Sequence, residues 1–176
     1  MKNNITNKIL FWILVWLCWM TLAIGKEINF ESYWNNYYKY SYSIKKYCDY
    51  YGLDTNIFKG LICRENPKWN PKIKGKGGFG LCQVSGGSAN PDINIKQASI
   101  KLRQALEIYG NYYYALIGYN CGIAGAKPII KSGRVWLYAQ DILRFANILK
   151  TLDHEVIFLW RKTWNKNDYQ YYGEWE

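Results

Sequence analysis

A glycine-rich run in the middle of this chain separates two stretches with helical patterns and limits what can connect them. Six glycines lie between Lys72 and Gly87. Glycine is costly inside a helix and adopts turn conformations that other residues avoid, so the run excludes a long helix. We expect turns or a small hairpin there, lining a cleft between the flanking helices.

Apolar residues recur at helical spacing on both sides of this run, which predicts a mainly α fold. Before the run, the pattern predicts a helix from Thr55 to Glu65, with Asp54 or Thr55 as its N-cap. After the run, Asn94 is the expected N-cap of the next helix, with Gln97 three residues on. The full set of predicted helices spans residues 43–51, 55–65, 95–109, 112–118 and 136–149.

Glu65 lies on the apolar stripe of the helix that precedes the glycine-rich run, four residues after Leu61. Asn66 precedes Pro67 and is pushed out of the α region, which places Glu65 in the last helical turn. Apolar surroundings and the negative end of the helix dipole both disfavour a carboxylate. We therefore expect a raised pKa and a candidate proton donor. The alternative is a partly exposed glutamate paired with Arg64.

Five short motifs follow Glu65 in an order that is typical of one enzyme family. They are Trp69-Asn70-Pro71, Gly80-Leu81-Cys82-Gln83, Pro91 with Asn94-Ile95, Tyr119-Asn120-Cys121-Gly122 and Tyr138-Ala139. This order, over approximately Ile44 to Leu149, resembles the catalytic domain of the soluble lytic transglycosylases, relatives of goose-type lysozyme that cut peptidoglycan. The resemblance implies a mainly α, lysozyme-like α+β fold, a single compact helical domain whose glycine-rich turns line a glycan cleft.

The resemblance also implies roles for five residues. Glu65 is the implied catalytic acid, in a lyase reaction that leaves 1,6-anhydromuramic ends and needs no cofactor and no metal. Gln83 and Asn120 are implied to bind the acetamido and hydroxyl groups of the sugars through their amides. Tyr119 and Tyr138 are implied to flank the acid and to steady it or the substrate.

Residues outside the motifs give little support for other chemistry. Most glycosidases need two carboxylates, whereas a lytic transglycosylase needs one, and no second acid falls inside the motifs. Asp92 and Asp141 stay open as alternatives should they fold towards the cleft. The only histidine, His154, is far from the motifs, so neither a metal site nor a cysteine nucleophile is expected. Trp69 is expected to cover Glu65 with apolar surface rather than to stack on a sugar ring.

Three departures from the family pattern keep other functions open. Asn66 stands where the family has serine, Cys82 where it has methionine, and Lys74-Gly75 where a serine commonly orients the acid. A lysine close to Glu65 would lower the pKa that the helix end raises. The alternatives are a lysozyme-type hydrolase on the same fold, with water as nucleophile, and an exported glycan-binding or envelope-assembly component without turnover.

The N-terminal residues 1–25 have the pattern of an export signal. Lys2 and Lys8 precede an apolar run shorter than the ~20 residues that cross a bilayer comfortably, and small residues precede an expected cleavage before Lys26. The alternative is an uncleaved anchor in the inner membrane. Either way we expect export to the periplasm or cell envelope. We assign residues 26–150 to the catalytic domain and residues 151–176 to a C-terminal helix or tail of unknown role.

The chain is basic, with a formal net charge of +10, or +8 once two lysines leave with residues 1–25. A basic surface attracts anionic cell-wall polymer, and peptidoglycan glycan strands are the expected partner. A secretion, conjugation or phage apparatus is a further candidate partner. We expect no nucleic-acid binding, because the sequence has no zinc-ligand cluster, phosphate-binding loop or basic helix.

Four cysteines follow the export signal: Cys48, Cys63, Cys82 and Cys121. An even number outside the cytoplasm allows two disulfides in any of three pairings. Because Cys82 and Cys121 lie in motifs that line one cleft in the family, we expect them to be close in space. Cys48 and Cys63 would then tie the first two helices together. The alternative is four buried free thiols that behave as small apolar side chains.

Overall fold

The computed structural model describes residues 28–163, and within that range the protein is mainly helical, as predicted. The five helices are α1 (Phe30–Tyr51), α2 (Thr55–Glu65), α3 (Pro91–Tyr109), α4 (Tyr112–Lys131) and α5 (Leu137–Thr163). Isolated antiparallel bridges join Phe79 to Lys74 and to Val84 in the glycine-rich region, where turns or a small hairpin were expected. The predicted export signal of residues 1–25 lies outside the described residues.

Helix α1 begins thirteen residues before the predicted start at Ser43 because tyrosines, not aliphatic residues, form its buried stripe. Tyr33, Tyr40 and Tyr47 are all buried and follow one another at intervals of seven residues, which is two helical turns. Asn29 caps the helix, since its side chain accepts a hydrogen bond from the backbone N–H of Ser32.

Helix α2 has the predicted bounds and packs most closely against α5. Asp54 is the N-cap, and its carboxylate accepts hydrogen bonds from the backbone N–H groups of Asn56 and Ile57. A β-carbon on Gly60 would lie 2.7 Å from the carbonyl oxygen of Ile142 in α5. The two helices can therefore pack this closely only because residue 60 is glycine.

The expected N-cap of α3 is wrong. Asn90 caps this helix by accepting hydrogen bonds from the backbone N–H groups of Asp92 and Ile93, and Pro91 occupies the first turn. Proline is well suited to that position because its missing N–H has no partner to lose there. Asn94 lies inside the helix instead, and its side chain is fully buried.

Helices α4 and α5 both extend beyond the predicted ends. Helix α4 continues past Gly118 to Lys131 through a kink at Gly122, whose φ of 77° lies in the region that favours glycine. Helix α5 continues past Leu149, so the expected division at residue 150 falls inside a helix. A 2.5 Å ion pair between Asp153 in α5 and the buried Lys59 in α2 crosses this division. The predicted tail from residue 164 onward lies outside the described residues.

No helix between residues 28 and 163 combines the length and the apolar character needed to span a bilayer.

All four cysteines after the export signal carry free thiols in the structure. Cys48, Cys63 and Cys82 are buried and contribute to the apolar core, while Cys121 is exposed on α4. Burial raises the pKa of Cys48 and Cys63 to about 12 and keeps these thiols protonated at neutral pH. The three buried thiols thus match the alternative of small apolar side chains.

Candidate active site

A cavity of about 270 Å³ opens where the end of α2, the glycine-rich loop, α3 and α4 meet. It is somewhat smaller than the roughly 300–1,000 Å³ typical of pockets for drug-sized ligands, so a polymer would enter it only in part. Four of the five residues for which the resemblance implies a role line this cavity. Other residues that the sequence did not single out also line it. The lining residues are Glu65, Lys76, Gly77, Gly78, Gln83, Ser85, Lys101, Tyr119 and Asn120.

The fifth implied residue, Tyr138, contacts Glu65 directly. Its hydroxyl donates a 2.5 Å hydrogen bond to Oε1 of Glu65, which is the partly buried last residue of α2. Burial, followed by the charge of Glu65, raises the pKa of Tyr138 well above its usual range. Tyr138 therefore remains protonated and can donate to the carboxylate over the whole physiological pH range.

A group of charged side chains, Arg64, Asp141 and Arg144, lies next to this contact. The guanidinium of Arg64 lies 5.3 Å from the centre of the Tyr138 ring, and its Nε donates a 3.1 Å hydrogen bond to Oδ2 of Asp141. Arg144 adds a longer contact of 3.6 Å to the other oxygen of Asp141. Asp141 is buried in this group and does not line the cavity, so it is unavailable as a second acid.

Asp92, the other candidate for a second acid, contacts α1 and does not line the cavity. Its carboxylate accepts hydrogen bonds from the hydroxyls of Ser43 and Tyr47 in α1. These two hydrogen bonds lower the pKa of Asp92. Among the described residues that line the cavity, Glu65 is thus the only carboxylate.

Gln83 is held in the glycine-rich loop by its own amide. Its Nε2 donates hydrogen bonds of 2.7 Å to the carbonyl of Gly80 and 3.3 Å to that of Ile73. A β-carbon on Gly78 would lie only 1.9 Å from the carbonyl oxygen of Gln83, and one on Gly75 would lie 2.2 Å from its Oε1. The loop folds tightly around this side chain only because both positions are glycine.

Two buried asparagines join the same loop to the helices. Asn66, the residue after α2, donates hydrogen bonds from Nδ2 to the carbonyls of Asn70, at 2.7 Å, and of Gly80 in the loop, at 3.3 Å. It also accepts a hydrogen bond from the backbone N–H of Asn70. Asn94 of α3 accepts a 2.9 Å hydrogen bond from the N–H of Cys82 and donates one of 3.0 Å to the carbonyl of Phe79. Asn66, a departure from the family pattern, therefore positions the loop, and Asn94 does so in place of its expected capping role.

Tyr119 and Asn120 line the cavity from α4 in different ways. The buried hydroxyl of Tyr119 donates a 2.7 Å hydrogen bond to the carbonyl of Cys82, so its single hydrogen goes to the loop and not to Glu65. The side chain of Asn120 is exposed, and its Oδ1 accepts a 3.3 Å hydrogen bond from Trp136. Tyr119 thus holds the loop, while Asn120 presents an amide at the surface of the cavity.

Lys101 and Lys76 line the cavity although no motif singled them out. The ammonium group of Lys101 in α3 lies 4.5 Å from the centre of the Tyr119 ring. Burial lowers the pKa of Lys101, and the nearby Glu65 opposes that change. One signal was present in the sequence, because Lys101 lies three residues after Ala98 and four before Ala105, at the edge of the buried stripe. Lys74, expected to be the relevant lysine, is exposed in the bridge to Phe79.

Trp69 packs in the core. It is only 1% exposed, and its ring contacts those of Tyr33 and Tyr40 in α1. Such burial prevents it from stacking on a sugar ring, while its expected role of covering Glu65 stays a prediction.

The described part of the chain contains no group of three or more side chains able to hold a metal ion. No model of a known protein family matches the sequence. What the site can do chemically is therefore inferred from the arrangement of its side chains. That geometry offers one carboxyl group held by a tyrosine, an exposed amide and two lysines around a small polar cavity.

Proposed function

We propose that this protein is a peptidoglycan lytic transglycosylase with a lysozyme-like fold that acts in the cell envelope after export. One observation carries the proposal. Glu65, hydrogen-bonded by Tyr138, is the only carboxylate among the described residues that line a cavity shared with Gln83 and Asn120. A single acid is sufficient when the substrate supplies its own nucleophile.

In the proposed reaction, Glu65 first gives its proton to the oxygen of the β-1,4 bond between N-acetylmuramic acid and N-acetylglucosamine. The bond from this oxygen to C1 breaks, and the acetamido group of the muramoyl residue stabilises the positive charge on C1. The carboxylate of Glu65 then takes the proton of the C6 hydroxyl of the same residue. The C6 oxygen attacks C1 and closes the 1,6-anhydro ring, so Glu65 ends as the acid it was at the start.

Tyr138 stabilises Glu65 in the middle of the proposed reaction, when Glu65 is a carboxylate. Its hydrogen bond strengthens as Glu65 becomes a carboxylate, because a charged acceptor forms a shorter and stronger bond than a neutral one. It therefore lowers the barrier to proton transfer without taking part in bond breaking. In this proposal the amide of Asn120, exposed at the edge of the cavity, hydrogen-bonds the acetamido group of a sugar.

The absence of a second lining carboxylate among the described residues favours this reaction over the usual hydrolytic mechanisms. A retaining glycosidase needs a second carboxylate about 5–5.5 Å from the first, and an inverting enzyme needs one about 6.5–9.5 Å away to activate water. Asp92 and Asp141 are held by other partners. The C6 hydroxyl of the substrate replaces the missing group.

A comparison of two Glu-to-Gln variants tests the proposal. The parent protein should clear purified peptidoglycan, and Glu65→Gln should reduce the rate at least about a thousandfold because the amide cannot donate or accept the proton. Glu107→Gln is the matched control, since Glu107 is exposed on α3, pairs with Arg103 and does not line the cavity. Equal activity of the parent and Glu65→Gln would refute the assignment. A parent that binds but never cuts would indicate a glycan-binding component.

A further inference from the structure

The proton transfers proposed for Glu65 use neither of the two lysines that line the cavity. Two lysines and one glutamate line the cavity, so its formal charge is positive whether Glu65 is protonated or not. A neutral glycan would not be attracted by this positive charge. A group of negative charge beside the sugar would be attracted to it, and the attraction is stronger in a recessed site than at an open surface.

The placement of Lys101 argues that its charge serves a ligand. It is partly buried, and a lysine ammonium loses hydration when it leaves water. The face of the Tyr119 ring, 4.5 Å away, keeps the ammonium group at the cavity. Tyr119 is itself fixed by its hydrogen bond to the carbonyl of Cys82, so the ring that the ammonium group contacts is held in place.

Lys76 lines the cavity from a different element. It belongs to the glycine-rich loop, whereas Lys101 belongs to α3, and the two lysines therefore come from separate elements. Lys76 is exposed, so its charge is better screened by water than that of Lys101. Any anion bound between them should depend more on Lys101 than on Lys76.

We propose that Lys101, assisted by Lys76, binds a carboxylate carried by the glycan strand next to the bond that is cut. The substrate class is then an anionic, peptide-bearing glycan, and neutral N-acetylated glycans are poor substrates. This inference rests on the proposed function for the identity of the polymer. It adds a specificity-determining residue that no motif contains.

The test uses two forms of one glycan strand, with the carboxylates of its peptide substituents either free or converted to primary amides. The parent should cut the free-carboxylate form with a KM about tenfold lower, as expected for one charge-assisted hydrogen bond. Lys101→Met should remove this preference, so that its KM values for the two strands become nearly equal. Lys101→Arg, which keeps the charge, should retain most of the preference. Lys76→Gln should reduce it by a smaller factor.

Lys150→Met provides the matched control because Lys150 is exposed on α5 and does not line the cavity. It should keep the full preference of the parent. Two results would overturn the inference. In one, the parent cuts both strands with the same KM. In the other, Lys101→Met slows cleavage of both strands equally, which would mean that Lys101 acts on Glu65 and not on the substrate.

Binding measurements separate this inference from the proposed function. Fluorescence anisotropy with labelled strands requires no turnover and can use the same parent, Lys101→Met and Lys150→Met proteins. If the parent cuts nothing but binds free-carboxylate strands more tightly through Lys101, the inference stands and the catalytic proposal fails. If the parent cuts both strands and binds them equally, the catalytic proposal stands and the inference fails.

Discussion

Glu65 and Gln83 line the same cavity, but the contacts that hold them differ in kind. Glu65 ends a helix that packs tightly on α5, and the hydroxyl that holds it comes from α5. Gln83 lies in a loop with a left-handed backbone conformation, φ 49°, and depends on side-chain amides that bind backbone groups. The helix side of the cavity is thus built by packing and the loop side by hydrogen bonds.

This difference predicts how substitutions on each side of the cavity affect stability and activity. Loss of a contact on the loop side leaves buried backbone groups without partners, and such groups are costly. Loss of the hydroxyl on the helix side leaves the packing of α2 against α5 intact. Changes in the loop should therefore reduce stability and activity together, whereas changes beside Glu65 should reduce activity alone.

Asn94→Ala should have the larger effect because it removes two hydrogen bonds that hold the loop. The N–H of Cys82 and the carbonyl of Phe79 lose their partner, so the free energy of unfolding should fall by about 2–4 kcal/mol. Turnover should fall as well, since Gln83 directly follows Cys82. Urea unfolding monitored by circular dichroism measures the change.

Asn147→Ala is the matched control for this prediction, since Asn147 is exposed on α5. Its free energy of unfolding should stay within about 0.5 kcal/mol of the parent value. A similarly small change for Asn94→Ala would mean that the loop does not depend on Asn94.

Tyr138→Phe should have an intermediate effect that is confined to activity. Phenylalanine keeps the ring beside Arg64 but cannot donate to Glu65, so kcat should fall about tenfold with little change in KM. The free energy of unfolding should change by less than about 1 kcal/mol. Steady-state kinetics on soluble glycan strands, together with urea unfolding, check both statements.

Tyr38→Phe serves as the control because Tyr38 is 68% exposed on α1, away from the cavity. Its kinetics should match those of the parent. A fall in stability without a fall in kcat for Tyr138→Phe would reverse the proposed contrast between the two sides.

The pH dependence of binding should show the smallest effect, a severalfold change in KM. Burial lowers the pKa of Lys101, so the ammonium group loses its charge at a lower pH than an ordinary lysine as the pH rises. The groups around it are Glu65 of α2, Lys76 of the loop, and Tyr119 and Cys121 of α4. KM for free-carboxylate strands should therefore rise in the alkaline range.

Lys101→Arg isolates this titration, because an arginine remains charged throughout the accessible pH range. Its KM should stay nearly constant where that of the parent rises. Parallel pH profiles for the two proteins would assign the change to another group.

The helix that carries Glu65 could be predicted in full from local rules. An aliphatic stripe, Asp54 at the start and Asn66-Pro67 at the end determine its bounds without help from the rest of the chain. The first half of α1 could not be predicted in this way. Its buried stripe is made of tyrosines, and in a chain with seventeen of them the pattern carries little information.

The site itself depended on contacts between residues far apart in the chain. Tyr138 and Glu65 are separated by 73 positions, and only the resemblance to a known family suggested that they meet. Asn94 was misassigned because asparagine is a good N-cap, while Asn90 followed by proline offered a better one. The position of Lys101 at the edge of a buried stripe is also typical of an ordinary solvated lysine, so charge alone did not identify it.

Digestion of peptidoglycan in water enriched in ¹⁸O tests the central claim most directly. If Glu65 passes the proton of the C6 hydroxyl, water never attacks C1. Mass spectrometry should then show new muramoyl ends lighter by one water and free of ¹⁸O. New reducing ends that carry ¹⁸O would contradict the account and make the protein a hydrolase.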